Sequence, residues 1–355
     1  MTDRELKTLK DNLWHAADVL RSGAHLAANK YGQPILGLIF LRYADILFKQ
    51  HKDEIDAEYT KRLGTRMEKT SKEIAVEKCG FFLPECAYYD FINDAPDTAE
   101  KADLVKKAME AIERENPKME GVLPKEVYAQ LVPEEEPELL SNIVRIFKDI
   151  PENCTVDIFG EIYEYFLGNF ALAEGKDGGT FYTPATVVRY MVEVLGPQPG
   201  DKKFLDPACG SGNFLTETYL ELRRIENRIL ADLDKDGQLA LDLGDDINPV
   251  KVSISHFHGI EINGFACAVA RTALWIAEQQ ALDDTESTIS GLPRLPFTDT
   301  AHIRQGNALR LDWNELLPGD HCDYVMGNPP FIGHVTKTAG QTEDLKTVWG
   351  RQYDG

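Results

Sequence analysis

Two rhythms of apolar residues divide the chain. Over the first 150 residues the spacing is three and four. In LKDNLWHAADVLRSG, Leu9, Leu13, Ala16 or Ala17 and Leu20 fall on one helical face, and Gly23 suits the C-cap. The segment PILGLIFLRYADILFKQHKDEI is apolar nearly all round, which predicts a helix that starts at Pro34 and is buried among others. A polar Glu- and Lys-rich stretch follows, and then LVPEEEPELLSNIVRIFKDI, a solvated acidic loop leading into an amphipathic helix. No period recurs along the chain, which argues against a solenoid.

Around Asp157 the pattern changes. VDIFGEIYEYFLGNFALAEGKDGGTFYTPATVVRYMVEVLG predicts a helix, a Gly-rich loop over EGKDGG, the short motif GTFYTP and a second helix. Thr183 is expected as the N-cap of that helix with Pro184 at its first position, where free backbone N–H groups can hold an anion. From Lys202 onward, strand, loop and helix alternate. KKFLDPACGSGNF, HFHGIEI, HIRQGNAL and CDYVMGNPP each read as a strand with a loop at its carboxyl end. Such alternation predicts a parallel sheet flanked by helices, with ligands at the carboxyl edge. The segments DLDKDGQLALDLGDDINP and DDTESTISGLPRLPFTDT read as surface insertions.

Composition narrows the classes. With 355 residues, 43% of them hydrophobic, the chain has enough apolar material for two cores. No apolar run reaches the roughly 18 residues that cross a bilayer, and MTDRELKTLKDN lacks the features of a signal peptide, so a cytoplasmic location is expected. The six cysteines (Cys79, Cys86, Cys154, Cys209, Cys267 and Cys322) show no metal-ligand spacing and read as reduced thiols. His256 and His258 alternate along one strand without a third ligand nearby, so they read as a satisfied or edge-facing pair and no metal is expected. The formal charge of -21 opposes unaided binding to a phosphate backbone, so if the substrate is nucleic acid a more basic partner or a local patch must supply the attraction.

Four motifs carry candidate chemistry. In DPACGSGNF, Gly210 and Gly212 allow a tight turn and close approach to a ligand, while Asp206 at the strand end can accept from an amine or organise the loop. Leu215 stands where the dinucleotide fingerprint needs its third glycine, which disfavours a nicotinamide-dependent oxidoreductase. Glu261 ends the next strand and suits a ribose diol, and Asn307 ends the third and can pair with an adenine edge. The fourth motif is Asn328-Pro329-Pro330-Phe331. The amino group of a nucleobase is a poor nucleophile because its lone pair is delocalised into the ring. The Asn328 carbonyl and the Pro329 backbone carbonyl, aimed by two prolines, would draw its hydrogens out of plane, and Phe331 offers a stacking face for an extruded base.

In this order, GTFYTP, DPACGSGNF, GIEI, GNAL and GNPPF resemble the motifs of N6-adenine DNA methyltransferases that use S-adenosylmethionine. The N-terminal segments LWHAADVLRSG, YGQPILGLIFLRYADILF and FGEIYEYFLGNFA resemble the modification subunit of type I restriction-modification systems. The core segments ISHFHGIEI, GNALRLDW and DYVMGNPPF are also similar to the methyltransferase part of single-chain restriction-modification enzymes. The resemblance implies an N-terminal helical domain over 1–155 and a class I (Rossmann-like) α/β methyltransferase domain over 156–355. It also implies S-adenosylmethionine as cofactor, held by Thr180, Phe181, Tyr182, Thr183, Pro184, Ala185, Asp206, Pro207, Gly210, Ser211, Gly212, Asn213, Glu261 and Asn307. Asn328, Pro329, Pro330 and Phe331 would be the catalytic group.

Double-stranded DNA, a specificity subunit and a restriction subunit are the implied partners. Cys209 is not expected to be a nucleophile. Glu174 and Lys176 match the end of a nuclease D…E-x-K pattern but fall within the EGKDGG loop, which disfavours that role. Methyltransferases of this class have seven strands, and the sequence supplies four. The expectation is therefore a domain cut short after the strand carrying Asn328, with an apolar edge prone to association. Methylation of cytosine N4 or of a protein glutamine, and a non-catalytic assembly module, are the alternatives.

Overall fold

The computed structural model describes residues 2–23, 28–98, 100–131, 138–178, 183–235, 249–289, 301–331 and 337–352. Two compact units make up the chain. One comprises Met1–Phe170, Asn227–Pro249 and Trp275–Thr300, and the other Ala171–Glu226, Val250–Leu274 and Ala301–Gly355. The sequence reading placed one linear division after residue 155, whereas these units interleave along the chain.

The first unit is helical. It contains α1 (Asp3–Gly23), α2 (Ala28–Arg62), α3 (Ser71–Cys79), α4 (Tyr89–Asp94), α5 (Glu100–Glu115), α6 (Leu139–Lys148) and most of α7 (Val156–Gly178). As its sequence predicts, α2 is surrounded, with Ile35, Leu38, Ile39, Phe40, Leu41 and Ala44 all fully buried. Its start differs from expectation. The helix begins at Ala28 and runs through Pro34, whose carbonyl accepts from the buried Tyr128 hydroxyl at 3.3 Å. Two charges lie on the buried helix itself. Arg42 pairs with Asp45 at 3.2 Å and donates to the Ile150 carbonyl at 2.8 Å, so its charge is matched without water.

The second unit is built on four parallel strands in the order β3-β2-β1-β4: β1 (Phe204–Asp206), β2 (Phe257–Glu261), β3 (His302–Gln305) and β4 (Tyr324–Val325). Phe204 pairs with Phe257 on one side and Tyr324 on the other, and the three rings stack at 5.1 and 4.9 Å. Those side chains fix the register by which the carboxyl ends of the strands come level. The helices of this unit are α8 (Ala185–Leu195), α9 (Asn213–Lys235) as far as Glu226, α10 (Gly264–Thr288) as far as Leu274, and α11 (Ala339–Trp349), the remainders of α9 and α10 belonging to the first unit. Among the described residues β4 is an edge, and Val325 on it is 59% exposed, as the sequence reading expects.

Several boundaries depart from the sequence expectations. The EGKDG stretch continues α7 through Gly178 instead of forming a loop. DDTEST continues α10 to Thr288, because Thr285 is buried and its hydroxyl donates to Asn227 and to the Ala281 carbonyl within the helix. Helix α8 starts one residue later than predicted, with Pro184 as its N-cap and no side-chain cap. The acidic run of residues 134–136 lies outside the described residues. All six cysteines are free. Among the described residues no helix is long and apolar enough to cross a membrane, and no cluster of His, Cys, Asp and Glu side chains could hold a metal ion.

Candidate functional site

The loop after β1 is held almost wholly by its own backbone donors. Asp206 is completely buried, and its Oδ1 accepts from the Ala208 N–H at 3.0 Å. Cys209 N–H donates to the Ile260 carbonyl at 3.0 Å, carrying the β1–β2 pairing one step past the strand. Gly210 N–H then donates to Glu261 Oε2 at 3.0 Å, and the other Glu261 oxygen accepts from Asn263 N–H at 2.8 Å. The two strand-end carboxylates thus shape the turn between them.

Both glycines of the turn are left-handed, at φ +54° for Gly210 and +85° for Gly212, where a side chain is strained. Their surroundings differ. A Cβ on Gly212 would sit 2.9 Å from the Ala270 Cβ, so this glycine lets the loop close onto α10. A Cβ on Gly210 would meet nothing within 4 Å among the described residues, so on their side this glycine leaves room for a ligand. Pro207 and Ser211 are half-buried on the same turn.

The electrostatics of the turn favour a cationic ligand. The second oxygen of Asp206, Oδ2, is buried and accepts no hydrogen bond from the described residues. Burial above all, then the charge of Glu261, pushes the Asp206 carboxyl up to about 7, against the opposing Ala208 N–H. A buried acceptor left open is costly unless something occupies it. Cys209 is buried beside it, and its thiol is raised well above the ordinary range by burial and by the neighbouring carboxylates, which leaves it a poor nucleophile.

The fourth strand brings its loop to the same place. Met326 N–H makes the last pairing with β1, donating to Leu205 at 3.0 Å. Met326 also packs on the buried cluster of Val188, Val192 and Phe214, which ties α8 and α9 to the strand end. The next residue, Gly327, passes so close to Asp206 that any Cβ would overlap the carboxylate. Asn328 follows, and its Nδ2 donates to the Thr183 hydroxyl at 3.1 Å, which leaves the side-chain carbonyl available. Pro329, Pro330 and Phe331 are exposed, Phe331 at 81%.

Thr183 links the two loops. Its carbonyl accepts from Asn213 Nδ2 at 2.6 Å, at the first residue of α9, while its hydroxyl accepts from Asn328. Its role therefore differs from the N-cap that the sequence suggests. Pro184 and Ala185 follow at the start of α8, and Thr180, Phe181 and Tyr182 lie outside the described residues.

Asn307 is engaged elsewhere. Its Nδ2 donates to Asp344 at 2.8 Å and its Oδ1 accepts from the Leu309 N–H at 2.9 Å, so both ends of the amide are occupied by protein. Asp344, on α11, also holds Arg310 at 2.6 Å. Sequence reasoning missed Asp344, because nothing in GQTEDLK distinguishes it from a solvated acid. His256 and His258 lie away from the loops, and the His258 ring stacks on His302 at 4.8 Å. Burial and the neighbouring His302 push its pKa down to about 4.

Comparisons with known proteins agree with this layout. Residues 9–147 match the HsdM N-terminal domain, and residues 193–354 match the MmeI DNA-methyltransferase domain. DNA methyltransferase A of Bacillus subtilis is 39% identical over 168 residues, covering 46% of this chain and 18% of that protein. The MjaIX methylase subunit of a type I restriction enzyme from Methanocaldococcus jannaschii is 32% identical over 228 residues, covering 61% of this chain and 40% of its own length. The chain thus spans less than half the length of either relative. The crystal structure of a type I restriction-modification methyltransferase subunit from Streptococcus thermophilus shares the fold, with a TM-score of 0.59 at 19% identity over 92% of this chain and 64% of that one.

Proposed function

We propose that this chain, whose residues 9–147 match the HsdM N-terminal domain and 193–354 the MmeI DNA-methyltransferase domain, moves a methyl group from S-adenosylmethionine to N6 of adenine in double-stranded DNA as a methyltransferase of a restriction-modification system. The observation that carries this reading is the meeting of the Asp206–Asn213 turn and the Asn328 loop on one residue, Thr183.

The residues present fit the cofactor. The open side of Gly210 gives it room, and the unpartnered buried oxygen of Asp206 gives its ammonium an acceptor. Each Glu261 oxygen accepts one backbone N–H and keeps a further lone pair for a ribose hydroxyl. Asn307 reaches the cofactor's adenine only where Asp344 releases it. Bound S-adenosylmethionine supplies an electrophilic methyl on a sulfonium.

The chain's own residues then act on the base. Phe331 stacks on the extruded adenine, and the Asn328 and Pro329 carbonyls accept the two N6 hydrogens, which localises the nitrogen lone pair. The lone pair so aimed would take up the methyl that the bound cofactor supplies, with the thioether as leaving group, and one N6 proton would pass to solvent. No covalent enzyme intermediate is needed, and alignment carries most of the acceleration. Because the formal charge is -21, a specificity subunit supplies much of the DNA contact, with a restriction subunit as a further partner of the assembly.

The test is methyl transfer to duplex DNA by the chain in its native assembly, read as modified nucleosides by mass spectrometry. The expected product is N6-methyladenine, abolished by Asn328→Ala. N4-methylcytosine in its place, or full activity in that variant, would overturn the assignment.

A further inference from the structure

Building on the reading of Asn307 as a cofactor residue, we infer that α11 is an autoinhibitory strap. Its Asp344 occupies the amide that the adenine of S-adenosylmethionine needs, so that cofactor binding and docking of this helix exclude each other.

The docking of α11 is unusual. A surface helix ordinarily buries an apolar stripe. In the 11 residues Ala339–Trp349 the one buried residue is a carboxylate, Asp344, while Val348 and Trp349 are exposed. Asp344 Oδ2 accepts from Asn307 Nδ2 at 2.8 Å, and its Oδ1 accepts from Arg310 Nε at 2.6 Å. A capping box between Thr338 and Gln341 closes the first turn but does not tie it to the sheet. So short a helix is marginal in water unless it is docked. Its order beside the end of β3 therefore leans on one carboxylate and two hydrogen bonds.

The same carboxylate stands in the way of a ligand. An ionised carboxylate only accepts and a backbone N–H only donates, so Asp344 fixes the Nδ2 end of the Asn307 amide and Leu309 N–H fixes the Oδ1 end. An adenine edge pairs with an amide by accepting at a ring nitrogen and donating from its amino group. A ring nitrogen that came to the same NH2 group would meet Asp344, acceptor against acceptor. Once Asn307 turns to the adenine, α11 is left on Arg310, whose side chain is 63% exposed. An exposed ion pair of that kind holds little, so the helix comes away.

Calorimetric titration with S-adenosylmethionine tests the competition. Asp344→Ala should bind the cofactor roughly tenfold more tightly than the parent, the factor that one hydrogen bond to a charged group contributes. Leu345→Pro breaks the helix around Asp344 without removing the carboxylate, and should gain affinity in the same direction. Hydrogen exchange supplies a readout apart from affinity. The amides of residues 342–349 should exchange faster in Asp344→Ala, and in the parent once S-adenosylmethionine is saturating. The exchange of the parent needs no variant, so it stands whatever either substitution does to folding.

An affinity at or below that of the parent in either folded variant, or unchanged exchange at 342–349 in the saturated parent, would overturn the inference and leave the proposed function standing. Tighter binding by Asp344→Ala in a protein whose assembly makes no N6-methyladenine would do the reverse. No binding by parent or variant would overturn both.

Discussion

Two aspartates, both completely buried, sit in the two units of the molecule and are treated in opposite ways. In the helical unit Asp45 is fully used: Oδ1 accepts from the Tyr89 N–H at 3.0 Å, and Oδ2 pairs with Arg42 at 3.2 Å and Lys49 at 2.9 Å. In the sheet unit Asp206 uses Oδ1 on its own loop and leaves Oδ2 empty. Burial alone therefore does not separate structural from functional charge. What separates these two carboxylates is that the protein engages both oxygens of Asp45, whereas among the described residues one oxygen of Asp206 is left for a ligand to finish.

The comparison breaks most visibly at Asp45. Asp45→Ala would leave the Arg42 guanidinium, only 2% exposed, without its counter-charge. The expected loss is about 3–5 kcal/mol in denaturant unfolding, with no selective effect on cofactor binding. A loss below about 1 kcal/mol would show that the Lys148 and Ile150 carbonyls, which accept from Arg42 at 3.3 and 2.8 Å, suffice.

Asp206 predicts the reverse. Its folded-state pKa of about 7 lies above the ordinary 3.8, so the folded protein holds a proton that the unfolded chain gives up. That contribution to stability is complete below pH 4 and disappears as pH climbs through 7, amounting to about 4 kcal/mol across the window. Asp206→Asn should flatten this dependence, make the ligand-free protein more stable at pH 8, and abolish cofactor binding. The ammonium of a bound cofactor would draw the carboxyl back down, so binding near neutrality should release a proton. Calorimetry in buffers of different ionisation enthalpy detects that release, and its absence would place the ammonium elsewhere.

How much of this was legible in the sequence depends on whether the deciding interaction is local. The glycine turn, the strand-end acids and Asn328-Pro329-Pro330-Phe331 announce themselves because residue type and spacing determine local geometry, and each lies at the carboxyl end of its strand as expected. The helix ends were less legible. Composition alone marks DDTEST as loop-like, but a buried hydroxyl at Thr285 carries α10 through it. Thr183 looked like a helix cap because Thr before Pro usually is one. Its true partners, Asn213 and Asn328, lie 30 and 145 positions away in sequence. The Asp344 contact that occupies Asn307 spans 37 positions and leaves no local trace.

The two glycines of the turn sharpen the same distinction at smaller magnitude. Gly212→Ala combines a strained φ with a clash against Ala270, and should cost roughly 2 kcal/mol of stability. Gly210→Ala carries the strain without the clash and should cost about 1 kcal/mol, yet its new methyl points into the space assigned to the cofactor. The expected pattern is therefore a crossover: the less destabilising variant is the one that loses cofactor affinity more severely. Thermal unfolding paired with cofactor titration reads both, and equal affinity in Gly210→Ala and the parent would move the cofactor off that face.

Phe331 marks the far end of the scale. A ring that is 81% exposed contributes almost nothing to the fold, so Phe331→Ala should change stability by less than about 0.5 kcal/mol. The same exposure is what a stacking role requires, since a ring already packed by protein has no face left to offer. Duplex DNA carrying 2-aminopurine at the target position reports extrusion by its fluorescence. Loss of the ring should weaken the extruded state by about 1–3 kcal/mol, while a cofactor titration stays at the parent value. If the fluorescence change survives in Phe331→Ala, the base stacks on another surface, and the ring's exposure reflects only its place beside the open edge of β4.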